Sequence, residues 1–220
     1  MTEFIDISVS LSESLPTWPN SIGLKTRKAS SIDDGDAVSV TILECDVHAG
    51  THIDAPSHYI KNGASVEYSD INVLIGPAFV VDLPTNGPIK AFQLSQLVIP
   101  PGTQRLLLKT NNSFLWHKKE FTPNYSALTL DAAKWIINQN IKLVGIDYMS
   151  IEPFGKKPEV HPLLLNAGII LLEGLDLSMA ITGLYELICL PIRLAGAEAA
   201  PARAVLRKYN LDIGGKIHEF

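Results

Sequence analysis

Thr129-Leu130-Asp131-Ala132-Ala133-Lys134-Trp135-Ile136-Ile137-Asn138-Gln139-Asn140 runs directly into Ile141-Lys142-Leu143-Val144-Gly145-Ile146-Asp147, and these nineteen residues decide the fold. Leu130, Ala133, Ile136 and Ile137 recur near a 3.6-residue period behind Thr129, a helix-capping residue type. The first half therefore predicts an amphipathic helix over 129–140. The second half is a strand-sized apolar run that ends in a carboxylate. A helix set between apolar strands is the βαβ pattern, which favours an α/β or mixed class.

Upstream, Pro77 to Leu83 lies between Gly76 and Pro84, and Arg105 to Lys109 follows Pro100-Pro101-Gly102. Both are short apolar runs that read as buried strands. Asp36 to Val47, rich in Val, Thr and Ile, predicts another. Downstream, Leu163 to Leu165 and then Gly168 to Glu173 predict a helix end, a turn and a strand closing on Glu173. Tyr185 to Leu194 and Ala202 to Tyr209 predict two more strands, joined by a turn at Gly196 to Pro201. No repeat or linker divides the chain, so 1–220 is expected to be a single domain on one mixed sheet. Pattern alone leaves the ratio of helix to strand open.

A chain of 220 residues that is 46% hydrophobic can bury a sizeable core, which excludes disorder. Lys and Arg total 18 against 23 Asp and Glu, a formal charge of −5 with no cationic cluster, so nucleic-acid binding is not expected. No apolar run approaches the ~20 residues of a membrane span. Met1 to Asp6 shows no basic secretory leader, and the expectation is a soluble, cytoplasmic protein. Cys45 and Cys189, each in an apolar stretch, read as reduced core thiols.

The chemistry concentrates in His48-Ala49-Gly50-Thr51-His52-Ile53-Asp54-Ala55-Pro56-Ser57-His58, which holds three of the chain's six histidines and a carboxylate within eleven residues. A lone histidine is most often a core or surface residue, but imidazoles and a carboxylate this close suit Zn, Mn or Fe. The four-residue step from His48 to His52 fits one helical turn. Gly50 and Pro56 favour instead a loop that folds back on itself. A second candidate set is His161, opening Pro162-Leu163-Leu164-Leu165, and Glu173, closing Ile169-Ile170-Leu171-Leu172. A carboxylate at the end of so apolar a run is costly unless it is paired, bound to metal, or emerges into solvent. His117 and His218 read as surface residues.

The motif His48-x-Gly50-Thr51-His52-x-Asp54-x-Pro56-x-His58 resembles the signature of the metal-dependent cyclase family of hydrolases, whose members include bacterial kynurenine formamidases (arylformamidases) and, as relatives, isatin hydrolases. The likeness extends through Asp6-Ile7-Ser8, Leu15-Pro16-Thr17-Trp18-Pro19, Gly145-Ile146-Asp147-x-x-Ser150, His161, Leu172-Glu173, Tyr185-Glu186-Leu187 and Ala200-Pro201-Ala202-Arg203-Ala204-Val205-Leu206. It implies a mixed sheet curled toward a barrel with flanking helices, assembled as a homodimer or larger homo-oligomer. It also implies two divalent ions per subunit, zinc first, with manganese or iron as alternatives. His48, His52 and Asp54 would hold one ion; Asp54 would bridge to a second, completed by His161 and Glu173. His58 would stay free of metal as general acid/base, and Trp18 would line the substrate pocket.

The formamidase Trp-Pro pair often continues into Gly-Asp, whereas Pro19 is followed here by Asn20-Ser21, a departure that bears on aryl specificity more than on hydrolysis. The expected reaction is metal-assisted hydrolysis of a small-molecule amide, such as an N-formyl aryl amine. A related hydrolase of a cyclic amide, lactam or lactone is the enzyme alternative, and a non-catalytic small-molecule-binding module is the alternative from another class. Trp18 either stacks on an aryl group or plugs a core or interface. The aromatic tract Asn111 to Tyr125 either shapes the pocket or forms a surface insertion.

Overall fold

The computed structural model describes residues 4–208. Ten strands run in chain order: β1 (Phe4–Asp6), β2 (Leu24–Ser30), β3 (Val40–Cys45), β4 (His52–Asp54), β5 (Ile75–Asp82), β6 (Arg105–Lys109), β7 (Leu143–Ile146), β8 (Ile170–Glu173), β9 (Gly183–Pro191) and β10 (Ala199–Lys208). Four helices accompany them: α1 (Ile71–Leu74), α2 (Ala91–Ser95), α3 (Leu130–Asn138) and α4 (Val160–Asn166).

The mixed α/β expectation holds, and the sheet closes on itself. Strands follow one another in the order β10-β4-β8-β7-β6-β5-β9, and β9 pairs back onto β10. Closure depends on the length of β10. One of its edges takes β9 from Ala202 to Lys208, while the other takes β4 at Ala199–Pro201 and then β1 at Val205–Arg207. The run β5-β6-β7-β8 is parallel and the remaining pairs are antiparallel.

Both faces of the parallel run are buried, which is why its strands read as unbroken apolar sequence. Ala78, Val80, Leu107, Leu143, Leu172, Leu187 and Ala204 fill the barrel interior. The alternate residues Phe79, Val81, Leu106, Leu108, Val144 and Leu171 pack outward against α3 and α4. The helix α3 meets that layer with Ala132, Ala133 and Ile136, close to the face that its periodicity predicts. Asp147, the carboxylate ending the 141–147 run, is buried and structural. It accepts hydrogen bonds from the backbone N–H and hydroxyl of both Thr110 and Ser113, and so pins the segment after β6 to the end of β7.

Two expectations are corrected. The strand expected over 36–47 shortens to Val40–Cys45 and pairs only with β2, a strand that alternation did not reveal, as a two-stranded sheet separate from the barrel. Most side chains of that hairpin are exposed, so no buried face imposes an apolar pattern on it. Cys45 lies half-buried at its end rather than in the core, whereas Cys189 is fully buried in the barrel; both are free thiols. Tyr209 and His218 lie outside the described residues. No helix among the described residues is long and apolar enough to cross a membrane.

Candidate active site

The expected loop over 48–58 is a loop only at its ends. Gly50 turns the chain with φ +67°, and Pro56–His58 form one short 3-10 turn. Between them His52-Ile53-Asp54 is strand β4, held between β8 and β10. Strand alternation sends Ile53 into the barrel interior and turns His52 and Asp54 together to the opposite face. Glu173 lies directly across from His52 in the ladder with β8, and Leu172 beside it takes the interior place.

A close backbone approach makes this register possible. Gly174 has φ +72°, and a Cβ there would sit 1.9 Å from the Gly50 carbonyl oxygen. Thr51 locks the crossing by donating its hydroxyl to the Gly174 carbonyl at 2.6 Å.

His161, the second residue of α4, completes a buried cluster with His52, Asp54 and Glu173; His48 flanks it, half-buried. The groups singled out from far-apart segments do converge. His161 Nε2 lies 3.0 Å from Glu173 Oε1 and 3.5 Å from Asp54 Oδ2. His52 Nε2 lies 3.4 Å from Asp54 Oδ1 and 3.6 Å from Glu173 Oε2, and His48 Nδ1 lies 3.1 Å from Asp54 Oδ1. Glu173 does not emerge into solvent; its Oε1 also accepts the Ile151 N–H at 2.7 Å.

Two of the three histidines share a design: the nitrogen pointing away from the cluster meets an acceptor. His52 Nδ1 faces the Gly50 carbonyl at 2.9 Å and His161 Nδ1 faces Glu152 at 2.8 Å, whereas His48 Nε2 is 3.7 Å from Glu198, too far for a hydrogen bond. The remaining nitrogens turn inward. This arrangement sets up metal ligation, because an outward acceptor fixes the imidazole proton outside the cluster.

The donor set fits a divalent ion. His52 Nε2 and both Asp54 oxygens are buried without a well-formed hydrogen bond among the described residues, an expensive state for polar atoms unless a cation satisfies them. Imidazole and carboxylate donors suit Zn, Mn or Fe. Among the described residues, donor atoms lie within 4.8 Å of one another in His52–Asp54–Glu173 and in His48–Asp54–His58. Asp54 belongs to both, as a bridging carboxylate would.

In the metal-free chain the histidines and carboxylates of the cluster balance one another's charge. Burial alone would push His52 and His161 toward the neutral form, but hydrogen bonds and charge from Asp54, Glu173 and, for His161, Glu152 raise each to about 10. Burial raises Asp54 and Glu173, yet the facing histidines hold both carboxyls below their ordinary values. His58 differs. Burial pushes its imidazole down, Asp54 pulls it up, and His48 and His161 push it down again, for a net lowering. Its ring centroid lies 4.3 Å from that of His48 and 6.0 Å from that of His161.

Above the cluster opens a cavity of about 240 Å³ whose lining includes His48, His58, Tyr59, Trp18, Met149 and Phe154. Trp18 packs neither in the core nor flat on the surface. Its ring lies 5.2 Å from Phe121 and 5.2 Å from Phe154, in tilted and edge-on contacts. The aromatic tract therefore divides its roles: Phe121 backs the cavity through Trp18 and Phe154, while Phe114 and His117 are exposed. Asn20 has φ +70°, a left-handed conformation that asparagine tolerates better than most residues. Ser21 donates its hydroxyl to Asp46 at 2.6 Å and ties the Trp18 segment to the start of the histidine motif.

Sequence reading missed Glu152 and Tyr59. Tyr59 stacks on His161, with centroids 4.8 Å apart and planes 27° from parallel. It directly follows the motif, so proximity was an available signal. Glu152 had none, because it stands nine residues before His161 in a Pro- and Gly-containing loop.

The sequence model of the Cyclase family, described as "Putative cyclase", matches residues 5–153. This chain belongs to the Cyclase family. Relatives extend the likeness to nearly the whole chain. Cyclase-like protein 3 of Arabidopsis thaliana is 40% identical over 213 residues, covering 92% of this chain and 79% of that protein. The kynurenine formamidase of Bacillus cereus is 35% identical over 209 residues, covering 94% of this chain and 98% of that enzyme. Among solved structures, a "predicted metal-dependent hydrolase" from Bacillus stearothermophilus matches with a TM-score of 0.81 at 31% identity, covering 94% of this chain and 98% of that one.

Proposed function

We propose that this chain hydrolyses the amide of an N-formyl aryl amine such as N-formylkynurenine, releasing formate and the free aryl amine. That it is a metal-dependent hydrolase of carbon–nitrogen bonds outside peptides follows from its relatives, the Bacillus formamidases in particular. The finer reading rests on one observation: five donor residues from β4, β8, α4 and the turn before β4 converge beneath an aromatic-walled cavity, with both oxygens of the central carboxylate unsatisfied.

In this reading His48, His52, Asp54, His161 and Glu173 would hold two divalent ions, zinc first, with Asp54 common to both groups of donors. When bound, such an ion brings the pKa of its water down toward ~7 and polarises a carbonyl. The remaining work belongs to the chain. Trp18 stacks against the aryl ring and, with Phe121 and Phe154 behind it, turns the formyl group toward the cluster. The Gly50 carbonyl, bonded to its outward nitrogen, keeps the His52 ring aimed into the cage. His58, neutral near pH 7 because its pKa is lowered, takes a proton from the attacking water at a ring nitrogen and returns it to the departing amine nitrogen. The protein acts as a homodimer or larger homo-oligomer in the cytoplasm.

Metal content by mass spectrometry, measured alongside formate release from N-formylkynurenine, tests the proposal. Metal with formate release supports it. Metal without formate release, but with turnover of a cyclic amide, moves the substrate to an isatin-like ring. A chain that takes up no metal is a binding module.

A further inference from the structure

We propose that Glu152 is a positioning residue that aims His161 into the metal cage, an inference that rests on the metal-dependent reading of the site. Its side chain is buried, and it is the hub of the segment that leads into α4. Oε1 accepts the backbone N–H groups of Glu159 and Val160, the latter at 2.9 Å. Oε2 accepts the backbone N–H of His161 at 3.1 Å and lies 2.8 Å from His161 Nδ1. One carboxylate thus anchors both the first turn of α4 and the ring that hangs from it.

A carboxylate only accepts hydrogen bonds, so Nδ1 must donate. The lone pair of the neutral ring is then on Nε2, the nitrogen 3.0 Å from Glu173 and 3.5 Å from Asp54. Tyr59, stacked on the ring face, restricts rotation about the remaining torsion. A plain helix cap needs none of this. It would satisfy the N–H groups of Glu159 and Val160 with one oxygen and leave the imidazole unconstrained. Glu152 instead selects the tautomer and the direction of the His161 donor without being one of the cage ligands itself.

The test is E152Q. The amide keeps the shape, but its NH₂ group can replace an oxygen at Nδ1, where it donates and drives the ring to carry its proton on Nε2. Zinc affinity, read by competition with a chromophoric chelator, is expected to fall roughly 10- to 100-fold. The rise in melting temperature on adding zinc should shrink in the variant relative to wild type. Equal loss of melting temperature with and without zinc, at a zinc affinity within about twofold of wild type, would reduce Glu152 to a helix cap and overturn the proposal.

A second readout needs no substitution at Glu152. Nitrogen–proton NMR of the zinc-loaded wild type, with His161 assigned by its missing signal in H161N, should show the proton on Nδ1. A proton on Nε2 overturns the proposal. A wild-type chain that binds none of zinc, manganese and iron overturns the metal reading and this inference together, whereas unchanged zinc affinity in E152Q overturns only the inference.

Discussion

Burial alone would leave His52, His58 and His161 neutral at pH 7, because taking a charge out of water always disfavours the charged form. Neighbours separate them. His52 and His161 each face carboxylates that raise them to about 10, whereas for His58 the balance stays downward. The upward shifts have a definite sign. In the metal-free chain, the stabilisation from the two raised histidines is complete below pH 6.5 and fades as pH rises toward about 10. Metal binding runs the other way, since an ion must displace those protons. Zinc titration calorimetry at pH 7.5, in two buffers of different ionisation enthalpy, is expected to show net proton release on binding, with affinity rising at higher pH. Release of no protons would place the ions elsewhere. For His58, the expected outcome of His58→Ala is unchanged metal content with turnover lowered about 10²- to 10⁴-fold, the range of a lost proton carrier. A metal-free His58→Ala would make His58 a ligand, as its closeness to His48 and Asp54 permits. Most of these residues were legible because histidine and carboxylate are rare together in apolar surroundings. Glu152 was not, because its role arises from how a loop packs and leaves no spacing in the sequence.

Among the elements, β4 carries the largest difference between sequence and structure. Three residues cannot establish a strand by periodicity, and the glycine and proline on either side argued for a loop. Yet the alternation His52-Ile53-Asp54 is what places two polar groups on one face and an isoleucine in the core. The helix α3 and strands β5, β6 and β7 were readable because each buries an apolar face, and β2 was not because it buries almost none. The crossing of Gly174 over Gly50 holds β4 and β8 in the register that sets Glu173 beside His52. Gly174→Ala is therefore expected to cost more than the ~1–2 kcal/mol of an ordinary left-handed alanine, and to lose metal as well as stability. Gly168→Ala is the control: its φ is also positive, at +74°, but a Cβ there meets nothing within 4 Å. It should cost no more than the backbone term and retain metal. Thermal melts and metal analysis of the two variants, side by side, distinguish a general glycine effect from the loss of this crossing.

At the scale of the whole molecule, closure of the sheet brings together residues more than one hundred positions apart in the chain, with β4 and β8 as direct neighbours on the barrel wall. The mixed sheet was visible as a run of apolar segments. The order in which those segments pair was not, because continuous apolar strands carry little information about their partners. A cage assembled only in the folded barrel makes metal binding and folding one equilibrium. With free zinc at a thousand times its dissociation constant, the chain should gain about 4 kcal/mol of stability. That is roughly 10 °C in melting temperature at this size, lost on adding a chelator. A melting temperature indifferent to zinc and chelator would contradict a cage of this kind. The most direct measurement is anomalous diffraction at the zinc edge from zinc-loaded crystals. A peak is expected about 2.0–2.2 Å from both His52 Nε2 and an Asp54 oxygen. A map with no peak beside Asp54, or with zinc held only by residues outside the cage, would contradict it.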